Sequence, residues 1–199
     1  MAVKRLFDTT FSSFGLVVLL PVFVVIALLI ILDSKGPVFY RGVRVGRFGK
    51  PFQMYKFRTM VVDAKMLGGP DTPADDPRIT RFGRFLRGGY ELDELPQFIN
   101  ILQGDMSFVG PRPEVPERVA LYSEEEKAVL SVRPGLTDYA SIWNAREGEI
   151  LRGSQDPEKV YMEKIRPEKI RLQLEYVRNH SFWIDLKIIL QTLRTVLSR

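Results

Sequence analysis

LVVLLPVFVVIALLIIL, from Leu16 to Leu32, decides how the rest of the chain is read. It carries no charge, Phe11 and Phe14 extend its apolar character upstream, and Lys4, Arg5 and Asp8 precede it. A helix that crosses a bilayer needs about 20 apolar residues, in a range of roughly 17–25, so this run is at the short end. Pro21 sits inside it and removes a backbone donor. Three readings compete. A signal peptide would use Lys4 and Arg5 as its basic region, but Asp33-Ser34-Lys35-Gly36-Pro37 follows the run instead of a small-x-small cleavage site. A single span would leave the Lys/Arg-rich body in the cytoplasm and send the short amino terminus out. A re-entrant helix would bend at Pro21 and leave on the side it entered; the bend frees the carbonyl of Val17, which a hydroxyl of Ser12 or Ser13 would satisfy. Hydropathy alone favours the span, and either membrane reading keeps the basic body cytoplasmic.

The 199 residues suffice for one domain with a modest core. Lys+Arg 29 against Asp+Glu 24 gives a net charge of +5. The distribution is more telling. Lys35, Arg41, Arg44, Arg47, Lys50, Lys56 and Arg58 follow one another with no acid between them, and Arg78, Arg81, Arg84 and Arg87 recur every third residue. Such a face suits anionic lipid, nucleotide phosphates or nucleic acid. With no cysteine, disulfides, thiolate catalysis and cysteine metal sites are excluded; His180 alone rules out a histidine-rich metal site. At the far end, Ser181 to Arg199 spaces Phe182, Leu186, Ile189, Leu193 and Val196 at helical steps, with Ser181 as N-cap. That helix either packs on the core or lies in the headgroup boundary with Trp183 near the surface.

Between these ends, Val38 to Val45 and Pro51 to Arg58 read as a β-hairpin turning at Gly46–Lys50, with basic side chains along one face. Residues 68–77 read as a Gly/Pro/Asp loop, and Arg78–Arg87, Glu94–Leu102, Glu117–Leu130 and Asp156–Asn179 as helical.

ELDELPQFINILQGDMSFVGPRPE, Glu91 to Glu114, holds the chemistry. Asp93 stands where a helix starts, with Pro96 in a first turn, and its plain reading is an N-cap. A helix start also favours an ionised carboxylate and attracts phosphate, so Asp93 would serve as a nucleophile beside a diphosphate. Glu94 adds a hard oxygen ligand, and magnesium on a phosphorylated substrate takes only one or two protein carboxylates. Arg112, held between Pro111 and Pro113, is the best candidate cation for bidentate phosphate binding; its plain reading is a loop arginine. Lys56 and Arg58, two apart on a strand, project toward the same charge.

Residues Gly36–Met60 (GPVFYRGVRVGRFGKPFQMYKFRTM), Leu92–Glu114 (LDELPQFINILQGDMSFVGPRPE) and Arg133–Trp143 (RPGLTDYASIW) resemble, in order, the motifs of the bacterial sugar transferases, the monotopic phosphoglycosyl transferases. The resemblance runs over essentially the whole chain. It implies transfer of a sugar 1-phosphate from a UDP-sugar to a polyprenyl (undecaprenyl) phosphate with release of UMP, the first membrane step of glycoconjugate assembly. It further implies Mg2+ and an aspartyl-phosphosugar intermediate, with Asp93 as nucleophile and metal neighbour, Glu94 as metal ligand and helper, and Arg112 and Lys56 as phosphate contacts. Arg87 is carried across a stretch one residue longer than usual, and Arg146 only by a shifted match of LTDYASIWNAR to ITGWAQVNGR. Glu91 replaces a frequent Ser/Thr, and Leu20-Pro21 a frequent Ser-Pro.

The resulting expectation is an α+β, mainly helical fold with a proline-broken re-entrant membrane helix (1–34), a catalytic domain (35–180) carrying a small β-hairpin, and a C-terminal amphipathic helix (181–199) at the interface. The protein is expected on the cytoplasmic face of the bacterial inner membrane, against anionic lipid, with no nucleic-acid partner and oligomerisation left open. Two rivals remain: a magnesium-dependent lipid-phosphate phosphohydrolase, which would release inorganic phosphate, and a membrane-anchored lipid- or nucleic-acid-binding module.

Overall fold

The computed structural model describes residues 2–69, 72–88, 90–145 and 147–198, with Lys65 and Gly148 described through their backbone alone. The apolar amino terminus forms one helix, α1 (Ala2–Asp33), that continues through Pro21. Its inward stripe is narrow: Asp8, Ser12, Ile26 and Ile30 are buried, while Leu6, Phe14, Val17, Leu28 and Leu32 are exposed. Ser12 donates to the carbonyl of Thr9 rather than to that of Val17.

β1 (Phe39–Val45) and β2 (Pro51–Phe57) form the expected antiparallel hairpin, with Phe39 opposite Phe57. The turn is a 3-10 segment, Arg47–Gly49, in which Phe48 takes a left-handed φ of 59°. The outer edge of β2 is closed by one side chain. Asn100, wholly buried, accepts from Tyr55 N–H (2.9 Å) and donates to Gln53 O (2.8 Å), which satisfies ladder groups that a third strand would otherwise take.

α2 (Arg81–Arg87) is capped by Thr80, whose hydroxyl accepts from Gly83 N–H. A 3-10 turn (Leu92–Glu94) and α3 (Gln97–Gln103) follow, and β3 (Ser107–Val109) pairs in parallel with β4 (Gly135–Thr137), a pairing with no local sequence signal. The expected charged helix at Glu117–Leu130 is broken. α4 (Pro116–Val119) stops, Ser123 and Glu126 exchange capping-box hydrogen bonds, and a 3-10 segment (Glu126–Ser131) restarts the chain. α5 (Tyr139–Trp143), α6 (Glu147–Ile150) and α7 (Pro157–Val160) are short, and α7 passes through a π turn into α8 (Arg166–Asn179).

α9 (Phe182–Leu197) is capped by Ser181, as expected, and of its apolar stripe Phe182, Leu186, Ile189 and Val196 are half-buried while Leu193 is exposed. Asp185 and Ile188 are its buried residues, and Trp183, Leu190, Leu193 and Leu197 point out. Asp185 accepts from Lys4 Nζ (2.5 Å) and Tyr176 Oη (2.7 Å), a demand that apolar periodicity does not register.

Both ends of α1 pack on the body. Near its start, Arg5 donates to the carbonyls of Ile101 and Leu102, and Lys4 to that of Val109; Asp8 accepts from Ser107 Oγ and Phe108 N–H. Near its end, Ile26 and Ile30 share a core with Phe57 and Leu86, and Asp33 accepts from Phe82 N–H. Burial of four such side chains contributes about 1.5–3 kcal/mol each relative to exposure.

Candidate active site

The basic hairpin, α2 and the loop after β3 converge on one cavity of about 980 Å³. Lys56, Arg87, Asp93, Glu94 and Arg112 line it, together with Arg44, Arg84, Arg118, Arg152 and Lys169.

Asp93 is not an N-cap. It lies inside the 3-10 turn, 4% exposed, and α3 starts only at Gln97, with Pro96 at its cap. Glu91 launches this turn from a left-handed backbone (φ 47°, ψ 44°), a conformation that costs a non-glycine residue roughly 1 kcal/mol or more and that clusters at functional sites.

The two adjacent carboxylates are treated differently. Glu94 accepts from Lys56 Nζ (2.5 Å) through Oε1, and from Arg112 through both oxygens, Arg112 Nη1 lying 2.9 Å from Oε2 and Nη2 bonding Oε1. Among the described residues Asp93 makes no side-chain hydrogen bond, and Lys56 Nζ stands 3.9 Å from its Oδ2. Burial pushes the Asp93 carboxyl up to about 6, against the pull of Lys56 and Arg87 and with a further push from the Glu94 charge. Burial also acts on Glu94, but the charges of Arg112 and Lys56 outweigh it and hold that carboxyl well below the usual range. Glu94 in turn holds the Arg112 guanidinium firmly charged.

The segment bearing Arg112 is pinned by its backbone. Gly110 N–H donates to Thr137 O, Gly135 N–H to Pro111 O, Val45 N–H to Glu114 O, and Arg112 N–H to Asp138 Oδ2 (3.2 Å). Gly110 and Gly135 face each other so closely that a Cβ on Gly135 would lie 2.1 Å from Gly110 N. In the cavity wall Glu114 bonds Lys169 and accepts from Tyr161 Oη, and the neighbouring Lys169 holds its carboxyl down at about 2 in spite of burial.

Lys56, Arg87, Asp93, Glu94 and Arg112 thus come together. Arg87 also donates from Nε to Thr59 Oγ1 (3.0 Å). Arg58 goes elsewhere. β2 ends at Phe57, so strand alternation lapses, and the Arg58 guanidinium turns back to donate to the carbonyls of Ser34 (2.6 Å) and Lys35 (2.5 Å) just past α1. Arg146 lies outside the described residues. Asp138, Glu114 and Lys169 escaped sequence reasoning. Asp138 signals only as an N-cap of α5, and Glu114 and Lys169 are 55 positions apart.

No group of three or more His, Asp or Glu side chains that would by itself hold a metal is present among the described residues. Two carboxylates beside a cationic cavity nevertheless match the donor set that magnesium takes on a phosphorylated substrate, where the substrate and water supply the remaining oxygens.

A profile of the family described as bacterial sugar transferase matches residues 1–199. The chain is 40% identical over 207 residues to an undecaprenyl-phosphate glucose phosphotransferase of Komagataeibacter xylinus, an alignment that covers 100% of this chain and 37% of that protein. It is 39% identical over 197 residues to EpsL, an uncharacterised sugar transferase of Bacillus subtilis, covering 99% and 88% of the two. A putative undecaprenyl-phosphate N-acetylgalactosaminyl 1-phosphate transferase of Bacillus subtilis is 47% identical over 116 residues, 58% of this chain and 64% of that one.

Proposed function

This chain belongs to the bacterial sugar transferase family, and from that premise and its carboxylate pair we propose that it moves a sugar 1-phosphate from a UDP-sugar to a polyprenyl phosphate through a covalent bond to Asp93. The observation that carries the assignment is the asymmetry of the pair. Glu94 is occupied by Arg112 and Lys56, whereas Asp93 is buried beside it without a hydrogen bond among the described residues.

In the first step an Asp93 oxygen attacks the β-phosphorus of the UDP-sugar. The bond between that phosphorus and the bridging oxygen breaks, and UMP leaves with the electron pair. In the second step a phosphate oxygen of the polyprenyl phosphate attacks the same phosphorus, and the Asp93 carboxylate leaves. Arg112 and Lys56, already oriented by Glu94, meet the charge on the transferring phosphoryl oxygens, and Arg87 adds a third cation. Magnesium, when bound by Asp93 and Glu94 oxygens, would neutralise diphosphate charge.

α1 supports a membrane placement. Its outer face is apolar along most of 32 residues, about 48 Å at 1.5 Å per residue, more than the roughly 30 Å of hydrocarbon in a bilayer. Both its ends bond the same body through Lys4, Arg5 and Asp33. Ends on one side support a re-entrant, monotopic anchor on the cytoplasmic face of the bacterial inner membrane, with α9 at the interface and anionic lipid opposite the basic residues.

The test is a UMP-release assay with purified protein, undecaprenyl phosphate, magnesium and a panel of UDP-sugars. Ping-pong kinetics and a phosphosugar adduct at Asp93 by mass spectrometry are expected. Release of inorganic phosphate from the lipid instead would establish a phosphohydrolase.

A further inference from the structure

We propose that Ser141 and Asn144, one turn apart on the α5 side of the cavity, form the subsite that receives the glycosyl hydroxyls of the nucleotide-sugar donor. The inference rests on the transferase reading above and adds residues to it.

Both residues line the cavity, and in each a polar atom is buried without a hydrogen-bond partner among the described residues: Ser141 Oγ and Asn144 Oδ1. Buried polar atoms in native structures are overwhelmingly paired, so two orphans a helical turn apart call for an explanation. Asn144 is 9% exposed, and its orientation is set, because Nδ2 donates to Glu147 Oε2 at 2.5 Å. The atom left over is therefore an acceptor, which an O–H or N–H donor satisfies and a phosphate oxygen does not. Ser141 supplies a hydroxyl that donates or accepts, and one rotamer change re-aims it. An acceptor beside a hydroxyl matches vicinal hydroxyls of a sugar ring. A nucleobase is served less well, since no described residue lining the cavity is aromatic and none offers a ring to stack on.

Asp138 ties this subsite to the phosphate end. It is wholly buried; Oδ1 accepts from Ser141 N–H (2.6 Å) and Oδ2 from Arg112 N–H (3.2 Å). One carboxylate thus holds both the segment that aims the guanidinium and the start of the helix that bears the two orphans. Sugar reading and phosphate placement share an anchor.

The experiment uses the full chain in lipid nanodiscs. UMP release is measured with UDP-glucose, UDP-galactose and their two N-acetylated counterparts for wild type, Ser141→Ala and Asn144→Ala, and UDP is titrated as an inhibitor. The ratio of kcat/KM between the two best donors is expected to change about tenfold or more, with UDP inhibition unchanged within about twofold. Ser141→Ala is expected to melt no lower than wild type without donor, because the hydroxyl it deletes has no partner. Unchanged donor ratios would overturn the proposal, and so would UDP inhibition that weakens in step with donor use, which would assign these side chains to the nucleotide. If Asn144→Ala does not fold, Ser141→Ala and Ser141→Thr carry the comparison. Absence of UMP release by wild type from every donor would sink the transferase reading instead. Calorimetric binding of the same donors to wild type and Ser141→Ala would then decide the subsite: equal affinities for every donor would overturn it, and altered discrimination would uphold it.

Discussion

Lys56 Nζ lies 2.5 Å from Glu94 Oε1 and 3.9 Å from Asp93 Oδ2, so one lysine binds the second carboxylate of the pair and only flanks the first. A carboxylate clamped by a lysine and a bidentate arginine is a poor nucleophile, because most of its lone pairs are engaged. The unclamped neighbour keeps its own. The buried site strengthens each of these charge contacts relative to water.

Asp93→Asn is expected to abolish UMP release while leaving the chain folded. It is also expected to raise stability at neutral pH. The folded-state carboxyl titrates at about 6 instead of 3.8, a difference that corresponds to about 3 kcal/mol of charge burial removed by the amide. Urea denaturation at pH 7 checks the second expectation, and undiminished UMP release would end the nucleophile assignment.

The same shift fixes a pH dependence. The rate is expected to fall with acid as Asp93 takes up its proton near pH 6. Stability runs the other way: the folded state binds the extra proton between 3.8 and about 6, so this group's contribution worsens as pH rises through that window. A pH–rate profile with an acidic limb near 4 would contradict the burial argument.

Arg112→Lys keeps the charge but loses the two-pronged grip on Glu94. We expect kcat to fall about 10²-fold or more, with little change in melting temperature. Arg58→Lys, remote from the cavity lining, is expected to do the reverse by freeing the carbonyls of Ser34 and Lys35. Paired steady-state kinetics and melting curves separate the two.

Gly135→Ala places a methyl against Gly110 N at 2.1 Å, and backbone there has nowhere to retreat. A loss of about 2–3 kcal/mol is expected, together with reduced activity because Gly135 N–H holds Pro111 O. Wild-type stability for this variant would show that the strands separate freely.

Lys4→Met removes a cation from Asp185 and leaves that carboxylate buried with Tyr176 alone. About 1–3 kcal/mol is expected from the denaturation midpoint, since part of the Lys4 side chain remains in contact with solvent.

Much of the fold was legible because it is local. The apolar run, the hairpin with its turn, the Ser181 cap and the Asp93-Glu94-Arg112 constellation each show within a short window or through the family resemblance. What escaped depends on distant partners. Arg58 looked like a phosphate ligand because its strand was read one residue too long. The burial of Asp185 within α9 has no local signal, because its partner Lys4 is 181 positions away. The helix after Glu117 was overextended because the Ser123–Glu126 box, a start signal, was passed over inside a run of helix formers. Asp138 accepts from Arg112 N–H across 26 positions, a pairing with no local signal.

Ile26 and Ile30 of α1 share a core with Phe57 and Leu86, and the carbonyls just past that helix occupy Arg58. Trimming away the first thirty-odd residues to obtain a water-soluble catalytic fragment would therefore uncover the hairpin's own interior. Purification has to carry α1 along, and a protease that nicks it should cost the protein its fold and not merely its proposed membrane address.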